Sequence, residues 1–109
     1  MTIQEIAARY KDLEVSERRS EKEDYAELVF LNKDAARWDL VLTELFGAPV
    51  KPKGKKPSRE ESALTDSYGG VQANQVLFKK DCNNGTALAM LWPWQDNAHT
   101  TLKIILLKK

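Results

Sequence analysis

The chain changes rhythm near its middle. In the first half, apolar positions recur every three or four residues; in the last forty they alternate or run together. Ile3, Ile6, Tyr10 and Leu13 share one helical face, and Thr2 with Glu5 has the form of a capping box, so the spacing predicts a helix over 3–14. The charged stretch EVSERRSEKED allows that helix to continue, with Ser20 and Glu23 as a second capping box. From Tyr25 to Phe46 the positions Leu28, Leu31, Ala35, Trp38, Leu42 and Leu45 again trace a helix face. A single helix over 25–46 is the favoured reading. The competing one makes YAELVFL a strand and NKD a turn, with Asp34 capping a shorter helix. Gly47 suits the helix C-terminus, and Pro49 stops it.

Residues 48–58, APVKPKGKKPS, form a basic loop within one domain spanning 1–109. Ser58 with Glu61 opens a short helix to about Ser67, closed by Gly69-Gly70. Three strands are then predicted: Gln72–Lys80, Thr86–Trp94 and Thr100–Leu107. Turns at Asn83-Asn84-Gly85 and Gln95-Asp96-Asn97 separate them. The expected fold is α+β: N-terminal helices packed on a three-stranded antiparallel meander, with a fourth strand if 25–31 is extended.

Both faces of that meander are apolar. Leu88, Met90, Trp92 and Trp94 share one face of their strand, and Ala87, Ala89, Leu91 and Pro93 the other. The last strand separates Leu102, Ile104 and Leu106 from Ile105 and Leu107. One layer of helix covers one face of a small sheet. Leu91, Ile105 and Leu107 are therefore expected to form a second apolar stripe, buried in a homodimer. The alternative sends the first helix across to the second face.

The segment MLWPWQDNAH, 90–99, carries two of the three tryptophans and the only histidine. Pro93 cannot donate to a strand ladder, so it marks a bulge or the end of regular pairing. Trp92, Trp94 and His99 are candidates for an interface or a ligand pocket; closing one end of the core would also account for the two indoles.

Net charge is +1, with an acidic first half (seven Lys/Arg against eleven Asp/Glu over 1–50) and a basic remainder. The excess gathers at Lys51, Lys53, Lys55, Lys56 and Arg59, a candidate contact for a polyanion such as nucleic acid. No aromatic residue interleaves them to stack on bases, so the stronger expectation is a solvated, trypsin-sensitive loop. A contact between this loop and the acidic half is a further option.

Catalytic chemistry finds little footing. Cys82 and His99 are the only thiol–imidazole pair, and a meander places them at opposite ends of the sheet. No metal-ligand spacing occurs, a single cysteine forms no internal disulfide, and no cofactor is expected. No secretory leader or membrane span is evident, so a cytoplasmic protein is expected. The functional expectation is a small interaction or structural protein, self-associating through its sheet. A weak nucleic-acid-binding module and a small-ligand binder lined by Trp92 and Trp94 stand as alternatives, and enzymatic activity has little support.

Overall fold

The computed structural model describes residues 1–83 and 85–108. It is an α+β fold built on one five-stranded antiparallel sheet. In chain order the elements are α1 (Ile3–Arg9), β1 (Glu17–Glu21), β2 (Tyr25–Leu31), α2 (Ala35–Phe46), α3 (Arg59–Thr65), β3 (Val76–Cys82), β4 (Gly85–Pro93) and β5 (His99–Lys108). Strands are ordered β1-β2-β5-β4-β3 across the sheet. The predicted meander is present as β3-β4-β5. Its hairpin turn includes Asn84, which lies outside the described residues.

Two strands join the expected three: β2 is the fourth strand of the competing reading for 25–31, and β1 comes from the charged stretch into which the first helix was allowed to continue. YAELVFL is β2 and pairs along its whole length with β5, from Tyr25 opposite Ile105 to Leu31 opposite His99. A 3-10 turn at Asn32–Asp34 then starts α2. The single helix over 25–46 is therefore corrected to strand, turn and helix. Leu28, Val29 and Phe30 are buried on both sides of the strand, which an amphipathic helix on a surface does not provide. β1 arises from ERRSE, with a bulge between Arg18 and Ser20. Four of its five residues are exposed, so it carries no apolar rhythm to betray it. Ser20 lies inside this strand and opens no helix, and α1 ends at Arg9, short of residue 14. Thr2 does cap α1, accepting from the Glu5 amide at 3.1 Å.

Apolar residues are buried on both sheet faces. On the first, α1 and α2 press Ile3, Ile6, Trp38, Leu42 and Phe46 against Leu28, Phe30, Phe78, Leu102 and Ile104. Trp38 stacks on Phe30, with ring centroids 4.9 Å apart. On the second, Leu77, Leu88, Met90 and Ile105 lie beneath α3, the 3-10 turn Asp66–Tyr68 and Val71. The first helix does not cross over; the third one provides the second cover.

This arrangement breaks up the expected dimer stripe. Leu91 pairs with Leu102 and joins the α1–α2 side. Ile105 pairs with Leu88 and is fully buried on the α3 side, where Leu107 also packs. The three residues do not share a face. A shared stripe would need Leu91 in phase with Ile105, whereas β4 and β5 pair Leu88 with Ile105 and Leu91 with Leu102. Among the described residues no helix is long and apolar enough to cross a membrane.

Pro93 fits without distortion. The Trp94 amide donates to the His99 carbonyl on β5 at 2.9 Å, so alternation aims position 93 toward β3. β3 begins at Val76, opposite Leu91, and has no residue there to accept a bond.

Candidate functional site

The helical cover of the second face extends as far as Trp92. Val29, Leu31, Trp94 and His99, farther along the same face, belong to neither apolar cluster. Side-chain polarity changes here as well. A row runs across the strands from Arg19 on β1 through Glu27 on β2 to Lys103 on β5, with Trp92 on β4 and Trp94 just past its end beside it.

Trp94 is the centre of this region. Its backbone faces His99 across the β4–β5 pair, and its indole stacks on that imidazole with centroids 4.7 Å apart. The indole N–H donates to Thr101 Oγ1 at 2.8 Å. The Arg19 guanidinium sits 5.5 Å from the ring centroid. The ring thus lies from the end of β4 over Thr101 and His99 of β5, with the Arg19 side chain of β1 against it. Cation and indole attract through the ring quadrupole, and the Thr101 bond fixes the ring's direction.

His99 is oriented from its other side. The turn residue Asn97 adopts a left-handed conformation with φ 59°. This brings the Asp96 carboxylate to the amides of Ala98 and His99, at 2.9 and 3.1 Å. It also meets His99 Nδ1 at 2.6 Å. The Ala98 amide bond and the His99 contact hold the Asp96 carboxyl below its ordinary value.

The neighbouring cations are held by local partners. Arg19 meets Glu17 at 3.3 Å and Glu27 at 3.4 Å. Glu27 also accepts from the Tyr25 hydroxyl at 2.5 Å. Burial, followed by that hydrogen bond to Glu27, raises the Tyr25 pKa. Lys103 lies opposite Glu27 on β5, 3.6 Å from the Trp92 ring centroid, and donates to the Tyr68 carbonyl at 3.2 Å. Desolvation lowers its pKa, and the Glu27 carboxylate opposes that shift.

Sequence reasoning named Trp92, Trp94 and His99, and the structure brings all three to one face. It missed Arg19, Glu27 and Lys103. Two of these had a signal: a lone acid in YAELVFL and a lone lysine in TLKIILL pair across adjacent inner strands.

The other candidates fare differently. Lys51 is fully buried, so it leaves the polyanion set. Its backbone forms a bridge to Leu77 on the β3 edge, and its ammonium donates to the carbonyls of Pro52, Ala73 and Gln75. Gly54 N–H also bonds Ala73 O at 2.7 Å. The loop is therefore pinned at two points, against the expectation that it has few fixed contacts. Lys53, Lys55, Lys56 and Arg59 are exposed. Cys82 lies where β3 meets Gly85, and His99 at the opposite end of the sheet. Two surface grooves, of about 350 and 240 Å³, include neither Trp92 nor Trp94 in their walls. Leu91 lines the smaller one, with Pro93 and Lys53.

No protein-family model, no curated protein and no solved structure matches this chain.

Proposed function

We propose that this chain is a small protein-interaction module, and that it meets its partner through the sheet surface centred on Trp94. The observation that carries this reading is the Arg19–Trp94–His99 stack. It is partly exposed, fixed by a hydrogen bond, and set on a rigid sheet beyond the helical cover. Trp and Arg are the residue types that most often dominate binding energy, and side chains already held in place lose little entropy on contact.

A second copy of the chain is the first partner to test. Pairing two β1 edges is a poor route to such a dimer. The symmetric register about Arg19 sets Arg19 against Arg19 and Glu17 against Glu21, and the bulge interrupts the ladder. Self-association through Trp94 itself has no such conflict.

Sedimentation velocity over roughly 10–100 μM, the range of modest self-affinity, reads self-association directly. Affinity capture with the parent, Trp94→Ala, Arg19→Glu and Leu40→Glu chains reads a different partner. Leu40 lies on the outer side of α2 and is 62% exposed, so it serves as a control. The proposal expects a dimer, or a specific captured protein, that is lost in the first two variants and kept in the third. Association that survives both site substitutions contradicts it.

A further inference from the structure

We infer that residues 58–75 form a lid on the second sheet face, clasped shut by the Lys51 ammonium, and that this lid opens as a unit while the sheet stays folded. The segment contains α3, the following 3-10 turn and a loop without strand pairing. It meets the sheet through a few apolar groups, chiefly Leu64, Tyr68 and Val71. Its remaining ties are polar: Lys79 on β3 meets Glu60 at 3.8 Å, Lys103 on β5 donates to the Tyr68 carbonyl, and further bonds gather at its C-terminal end.

Lys51 connects that end to the sheet. Its backbone is fixed to the β3 edge, where Leu77 N–H donates to Lys51 O at 3.0 Å. An ammonium has three N–H donors and no acceptor. Here all three are used: one on Pro52 O within the basic loop, and two on Ala73 O and Gln75 O, which close the lid. A buried charge persists only where its donors are satisfied, so the cluster is stable closed and loses its partners on opening. Within the lid, after its 3-10 turn, the chain is turned by Gly69 and Gly70, with φ 98° and 75°. A Cβ on Gly69 would overlap the Trp92 ring. The lid therefore closes only because position 69 has no side chain.

Opening would bare Leu77, Leu88, Met90, Trp92 and Ile105 together, a continuous apolar surface over three strands. The α1–α2 side buries a larger set of residues and shares none of these ties. Partial opening confined to one element is the normal behaviour of a weakly tied unit.

Hydrogen exchange resolved by residue or short peptide tests the inference on the full chain. Lys51→Met keeps the aliphatic stem and removes the donors; Gly69→Ala strikes the lid at its separate contact with Trp92. Each variant is expected to exchange at least tenfold faster than the parent over 62–75, with β2 and β5 amides unchanged, and to bind more of an apolar dye such as ANS. Equal acceleration in lid and sheet, or no acceleration in the lid, overturns the inference. If Lys51→Met does not fold, Gly69→Ala gives the same reading alone.

Discussion

The Trp94 indole N–H has one protein partner, Thr101 Oγ1, and that single bond sets the ring across the sheet. Thr101→Val keeps the shape and removes the acceptor. It should cost about 1 kcal/mol, the usual net value of one hydrogen bond. Denaturant unfolding reads the loss, and a changed tryptophan emission spectrum should accompany it. Asp96 offers a pH-dependent counterpart. Its folded pKa lies below the ordinary 3.8, so its bonds to the Ala98 amide and to His99 favour the fold above about pH 4. That contribution is lost as pH falls through the lower folded value. Asp96→Asn should therefore show a shallower fall in stability below pH 4 than the parent, as read by urea unfolding at several pH values. Identical profiles would remove Asp96 from the account.

Two of the three capping pairs in the sequence, Thr2 with Glu5 and Ser58 with Glu61, cap helices, whereas Ser20 lies in β1. Ser58 accepts from the Glu61 amide at 3.1 Å, and the Glu61 side chain accepts from the Ser58 amide at 2.8 Å. This is a full reciprocal capping box, at the helix start that the sequence predicts. α3 is only seven residues long, too short to persist on its own, so the cap matters to it more than to a long helix. Ser58→Ala should cost about 1 kcal/mol, within the usual range for a lost N-cap. The effect should concentrate in exchange rates over α3. β3-β4-β5 was legible because alternation and the Gln95-Asp96-Asn97 turn signal agree. β1 was not, and β2 only as the competing reading, for opposite physical reasons. β2 is buried on both sides, so its apolar run also satisfies a helical period. β1 is an exposed edge strand, so nothing in ERRSE distinguishes it from a solvated helix or loop. Lys51 was misread through its neighbours: the burial of one lysine among four exposed basic residues depends on carbonyls that lie more than twenty positions away.

At the scale of the whole molecule, the sequence did show that both sheet faces are apolar. It did not show which element covers the second. Register decides this: with Leu88 opposite Ile105 and Leu91 opposite Leu102, the apolar residues of β4 and β5 sort into two layers, each with its own helices. The proposed partner surface is then the end marked by Trp94, with Ile105 buried on the α3 side. The equilibrium unfolding of Ile105→Lys, measured beside the parent's sedimentation, tests this most directly. A lysine at a fully buried position in an apolar cluster should destabilise the fold by about 3–5 kcal/mol or prevent folding. A variant that keeps the parent's stability while a parent dimer falls apart into monomers would contradict the account and restore Ile105 to an interface.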